Sequence, residues 1–131
     1  FSSAHGLRSV ILRYFNAAGA DKDLKIGELH SPETHLIPLL FDACTRTTNN
    51  FNVNGDDYDT FDGTCIRDYI HVMDLAEAHV VALERLLNKK SKDNYEVFNI
   101  GTGTGNSVLE VINAFDTENK KSMKYKIAER D

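Results

Sequence analysis

The sequence predicts an α/β protein with parallel strand pairing, and three observations predict it. Residues 9–15 (SVILRYF) form a β-branched, apolar run with little alternation, as expected of a strand buried on both faces. Two later segments carry apolar residues at helical spacing: Leu75, Val80, Leu83, Leu86 and Leu87, then Val108, Val111, Ile112 and Phe115. Strands and helices alternate along the chain, so neighbouring strands need crossover connections and pair in parallel.

Each element has a local reason. The run 16–21 (NAAGAD) ends the first strand with small and turn-forming residues, and 17–33 then reads as a long polar connection. A helix is expected from the Thr34–Ile37 neighbourhood to about Arg46, with Pro38 tolerated in its first turn. Residues 51–55 (FNVNG) read as a short strand, 56–65 (DDYDTFDGTC) as loop and 66–72 as extended. Asp74 with Glu77 three residues later suits the N-cap of a helix to about Lys89, where Lys89 and Lys90 favour the negative dipole end. Residues 97–100 form a strand, and Ser107 with Glu110 makes an S-x-x-E capping box for the last helix. A final strand follows in KYKIAE.

Composition bounds the function. At 131 residues the chain is one domain at most and small for a complete two-substrate enzyme. It starts at Phe1 and stops at Asp131 just after a strand, and both ends are expected to be cuts through a longer protein. A net charge of −5 argues against a nucleic-acid backbone as partner, although placed Arg side chains can still bind a small phosphate. No apolar run approaches the length that spans a membrane. Cys44 and Cys65 have no C-x-x-C spacing, so reduced thiols in a cytoplasmic setting are expected and a single disulfide is the lesser reading.

The stretch YEVFNIGTGTGNSVLEVINAF (95–115) has the outline of a dinucleotide fingerprint. Its spacing fails. Counting three beyond the second glycine leads to Asn106 from Gly101 and to Val108 from Gly103, neither of them glycine. A tight turn is therefore favoured, with cofactor binding the lesser reading and Glu129 a tempting ribose ligand at the end of the next strand. Arg67 can clamp a phosphate or pair with Asp68, and the pair is slightly favoured. His30 and His35 flank a loop–helix junction, where ligand contact and capping compete evenly. His71 and His79 lack metal-ligand spacing, and Asp56, Asp57, Asp59 and Asp62 read as a solvated acidic loop. No nucleophile–base–orienter set and no metal set is nominated.

Four segments together carry a resemblance: LRYFNAAGAD (12–21), ETHLIPL (33–39), GDDYDTFDGTCIRDYIHVMDLAEAHVVAL (55–83) and FNIGTGTGNSVLEVI (98–112). They closely resemble the C-terminal half of the UDP-glucose 4-epimerase (UDP-galactose 4-epimerase) family of extended short-chain dehydrogenase/reductases. The resemblance covers essentially the whole chain. It implies part of an NAD-binding doubly wound fold plus most of the smaller C-terminal substrate-binding domain. Residues 1–16 would end the cofactor domain, and 17–131 would be mainly UDP-sugar-binding with one returning cofactor-domain strand and helix. The family's NAD loop, catalytic Ser and Y-x-x-x-K pair would lie upstream of Phe1, so no catalytic residue is assigned in this chain.

The resemblance also implies NAD as cofactor, UDP-glucose and UDP-galactose as substrates, and a homodimeric parent. The family's chemistry takes hydride from sugar C4 and returns it to the other face, so UDP must be held firmly and the hexose loosely. By resemblance, Tyr14 lies near the nicotinamide, and Phe15 and Asn16 contact sugar and diphosphate. His35 and Leu36 fall at a helix start facing the diphosphate, where the family commonly has Asn-Leu. Asn52, Val53 and Asn54 match the strand along the uracil, with Asn54 in place of a frequent Phe. Arg67 matches the diphosphate-binding Arg, which reverses the weighting above, and Val108 matches a packing contact beside the nucleotide. Arg130 falls in a motif usually written R-R-x-G-D, where this chain reads ERD. Sister epimerases acting on UDP-arabinose/UDP-xylose or UDP-N-acetylhexosamine, and an inactive UDP-sugar-binding remnant, are the alternatives.

Overall fold

The computed structural model describes residues 2–45, 51–91 and 93–130. In chain order the elements are α1 (Ser2–His5), β1 (Ser9–Tyr14), β2 (Asn16–Ala18), α2 (Leu36–Thr45), β3 (Phe51–Asn54) and β4 (Ile66–His71). They continue with α3 (Val72–Leu87), β5 (Tyr95–Ile100), β6 (Gly105–Ser107), α4 (Val108–Asn119) and β7 (Tyr125–Ala128). The strand pairs β1–β5, β2–β4 and β3–β7 are parallel, as the alternation of elements requires. The expected helix end at Arg46 lies outside the described residues. The chain divides into two compact units, Phe1–Glu28 with Asp68–Thr104 and Leu29–Arg67 with Gly105–Asp131.

In the first unit, β1 runs in register with β5 from Ser9↔Tyr95 to Tyr14↔Ile100, and α3 packs on β1. Arg85 of α3 is bidentate to Glu96 of β5 at 2.6 and 2.7 Å, and its guanidinium lies 5.7 Å from the Phe98 ring centre. The strand is less buried than its composition predicts: Ile11 is 46% and Tyr14 54% exposed. Among the described residues β1 has one strand neighbour and one packed helix, too little to cover both faces. The apolar face expected of α3 is likewise open. Only Leu75 is buried, while Val80, Leu83 and Leu87 stand exposed.

Two local expectations for this unit need correction. Asn16–Ala18 is not the turn that NAAGAD suggested but a short strand, because its main chain pairs with residues 69–71 of β4. The α3 N-cap is His71, not Asp74. The His71 Nδ1 accepts from the Met73 N–H at 3.2 Å, which starts the helix earlier and leaves Asp74 in the first turn, where its charge suits the dipole.

In the second unit, Leu40 and Ala43 of α2, Phe51 and Val53 of β3, Ile112 of α4 and Met123 form the buried core. Leu40, Val53 and Ile112 are essentially inaccessible. Phe41 and Phe115 meet edge-to-face at 4.9 Å between ring centres on its flank. The S-x-x-E capping box is formed as predicted. Ser107 Oγ accepts from the Glu110 N–H at 3.1 Å, and Glu110 Oε2 accepts from the Ser107 N–H at 2.8 Å. Ahead of it, residues 105–107 form strand β6 in the same sheet as β4, so the glycine stretch does not turn directly into α4.

Candidate functional site

In the first unit the candidates gather at the carboxyl end of β1. Tyr14 ends the strand with its ring tilted against His79, the centroids 6.3 Å apart. Phe15, half exposed, donates its N–H to the Ile100 carbonyl at 3.2 Å, and Asn16 opens β2 opposite Tyr69. Ligands of open parallel sheets bind outside such strand ends.

The glycine stretch beside them is not an anion cradle. The Asp68 carboxylate accepts from the Thr102 N–H at 2.9 Å, the Thr102 hydroxyl at 2.8 Å and the Gly103 N–H at 2.9 Å. The amides that would embrace a pyrophosphate are therefore already given to a carboxylate, whose charge repels one. These bonds, the Thr102 N–H foremost, hold the Asp68 carboxyl below its ordinary range. Gly101 is needed for the approach: a Cβ there would meet Asp68 Oδ2 at 2.5 Å and Phe15 Cδ2 at 2.6 Å. The residue expected to pair with Arg67 thus serves the loop. Nothing in GTGTG itself announces this, since Asp68 lies 34 residues from Thr102.

In the second unit, His35 stands immediately before α2 with its Nδ1 2.9 Å from Glu33 Oε1. The same oxygen accepts from the Thr34 and His35 N–H groups at 2.8 and 2.7 Å. The His35 N–H, most of all, brings Glu33 from 4.5 to about 2 against the upward pull of burial, helped by the Thr34 N–H and the His35 and His30 rings. Glu33, which the sequence analysis did not single out, thus takes up the two N–H groups just ahead of α2 and contacts the His35 ring.

Leu36, Val53 and Val108 serve one core: Val53 is 1% exposed, and Leu36 and Val108 pack against the cluster that contains it. Val53 can therefore offer a ligand only its main chain. Asn52 and Asn54 alternate to the exposed face of β3. Arg67 is exposed on β4, and its Nη1 donates to the Ile66 carbonyl at 3.0 Å. Among the described residues it makes no ion pair. The Arg130 guanidinium stacks over the Tyr58 ring at 4.3 Å, a contact made possible by Gly55 at φ +82°, where a Cβ would meet Tyr58 at 2.8 Å.

The acidic loop contains one further correction. Asp62 is not a solvated carboxylate like its neighbours. Its Oδ1 accepts from the Thr64 N–H and hydroxyl at 2.9 and 2.8 Å, and its Oδ2 accepts from the Ser107 hydroxyl. Burial works upward on its pKa, but the Ser107 and Thr64 bonds outweigh it and hold the carboxyl below its ordinary range. Thr64 and Ser107 are buried at 1% and 0% exposure, so this carboxylate ties the loop to the start of α4. A recess of about 320 Å³ lined by Cys44, Lys121, Ser122 and Met123 holds none of the nominated residues. Both cysteines are free.

A chain of alternating strands and helices with parallel pairing belongs to the open-sheet α/β class of folds. The chain belongs, more narrowly, to the NAD dependent epimerase/dehydratase family, whose model matches residues 1–101. It is 54% identical over 125 residues to the UDP-glucose 4-epimerase of Rhizobium meliloti (strain 1021), covering 95% of this chain and 37% of that relative. The UDP-glucose 4-epimerase from Brucella ovis, crystallised in complex with NAD, superposes with a TM-score of 0.89 at 47% identity, over 99% of this chain and 39% of that one. The enzyme from Bifidobacterium longum, in complex with NAD+ and UDP, gives 0.87 at 39% identity, over 98% and 37%. The chain thus spans little more than a third of the length of these relatives.

Proposed function

We propose that this chain is the UDP-sugar-holding portion of an NAD-dependent epimerase that interconverts UDP-glucose and UDP-galactose. The observation that carries the reading is Arg67: an exposed guanidinium on a strand, without a carboxylate partner among the described residues. A guanidinium so presented forms paired, charge-assisted hydrogen bonds with a diphosphate. The start of α2, with His35 beside it, favours the same anion through the positive end of its helix dipole. Asn52 and Asn54 offer amides along the exposed face of β3, suited to the edge of a uracil, and Val53 offers its main chain. Leu36 and Val108 fix these polar groups from the core side. Arg130 remains a ligand in this reading only by giving up the Tyr58 face.

NAD, when bound, supplies the acceptor and donor of the C4 hydride. Tyr14 fits such a group, having an exposed ring face at a strand's carboxyl end, with Phe15 and Asn16 next to it; the Asp68-filled glycine loop does not. In domain terms, residues 1–16 with α3 and β5 are the cofactor-domain share, and the remainder faces the UDP-sugar. The parent is read as a cytoplasmic homodimer without nucleic-acid or membrane partners.

Calorimetric titration of UDP into the chain and into Arg67→Ala tests the reading. Losing a charged hydrogen-bonding partner weakens binding by about 10- to 100-fold. Equal affinity in both proteins would overturn the assignment of Arg67, and no binding to either would favour an inactive remnant. The 131 residues contain no Y-x-x-x-K. Purified chain supplied with NAD and UDP-galactose is therefore expected to give no UDP-glucose in a coupled assay, and turnover would refute that.

A further inference from the structure

We propose that His30, Glu33 and His35 form a binding site for a divalent transition-metal ion of the zinc type, a role beyond the diphosphate contact given to His35 above. The ligand atoms of the three residues lie within 4.8 Å of one another. The separations from Glu33 Oε1 are 2.9 Å to His35 Nδ1 and 3.6 Å to His30 Nδ1. Tetrahedral zinc with bonds of about 2.0–2.1 Å needs ligand–ligand edges of about 3.3 Å, and the two distances bracket that value. The rings of His30 and His35 face each other at 5.1 Å, tilted by 48°.

Two imidazoles and a carboxylate are the donor set that zinc and its neighbours in the first transition row prefer. Charge agrees with this. A carboxylate beside two imidazoles adds one negative charge toward a cation. Its carboxylate is also fixed beforehand by the Thr34 and His35 N–H groups, so little ordering is left for the metal to impose. The carboxylate is largely covered at 18% exposure, while the His30 and His35 side chains are 44% and 52% exposed. Solvent, and with it a metal ion, therefore reaches the two imidazoles.

The proton balance is simple. An ionised carboxylate can only accept, so His35 Nδ1 carries the proton in its contact with Glu33. A metal takes that proton's place between the two atoms, and the displaced proton goes to the other ring nitrogen or to solvent. Metal binding and the resting hydrogen bond are alternatives at one position.

Zinc titrated calorimetrically into the tag-free chain, with cobalt(II) absorption as a coordination readout, tests the site. One equivalent is expected to bind. His30→Ala, Glu33→Gln and His35→Ala should each weaken binding by at least about tenfold, as even outer-sphere losses do, with circular dichroism showing each variant folded. Glu33→Gln keeps the side chain's shape, so its effect reads the charge and donor rather than the fold. Absence of a one-to-one phase, or affinities unchanged in folded variants, would overturn the proposal.

Discussion

Two carboxylates, Asp62 and Asp68, each hold at least one residue remote in sequence by a hydrogen bond. Asp68 takes up the amides of Thr102 and Gly103, and Asp62 takes the hydroxyls of Thr64 and Ser107. A local reading treats each as a surface acid, since the partners of Asp68 lie 34 and 35 residues away and Ser107 lies 45 from Asp62. Asp68→Ala should release the glycine loop. Hydrogen exchange at Thr102 and Gly103 is expected to quicken while that of Glu96 in β5 is unchanged. Unaltered protection at both loop amides would show that Asp68 is not what holds them.

Among the elements, the last helix was the most legible. Ser107, Glu110 and the apolar positions Val108, Val111, Ile112 and Phe115 are local, periodic signals, and each is realised in α4. The start of α3 was misplaced for a complementary reason: histidine is an uncommon cap, and only the turn geometry puts its ring nitrogen over the Met73 N–H. Strand β2 was missed because three small residues carry no pattern, and their strand character comes from the pairing partner. For α2, the fully buried Leu40 decides its attachment to the core. Leu40→Ala is expected to cost about 2–5 kcal/mol, measured as a lower urea midpoint at unchanged slope. A loss well under 1 kcal/mol would mean that the cavity collapses or that α2 is not held there.

For the whole molecule, stability should fall in acid. Glu33, Asp62 and Asp68 all have folded-state pKa values below their ordinary ones, Glu33 moving from 4.5 to about 2. Between those values the unfolded chain binds more protons than the folded one, so stability is present above about 4.5 and is lost as pH falls toward 2. Urea midpoints at pH 7 and 5 should be close and should be lower at pH 3. Asp62→Asn should shallow the drop, whereas a parallel acid profile in that variant would contradict the role given to its carboxylate. The open apolar face of α3, with Val80, Leu83 and Leu87 exposed, belongs to this scale too, because its hydrophobic pattern is designed for burial while its own unit leaves it uncovered.

By itself the sequence determined the α/β class, the parallel pairing, the capped last helix and, through four motifs, the family. These follow from periodicity, capping chemistry and motif spacing, all of which are local along the chain. Only the tertiary structure decided which carboxylate holds which loop, that the glycine stretch closes on Asp68 instead of a phosphate, and that His30, Glu33 and His35 converge. Those outcomes depend on the directions in which side chains separated by turns or long loops point, and spacing along the chain does not encode such directions.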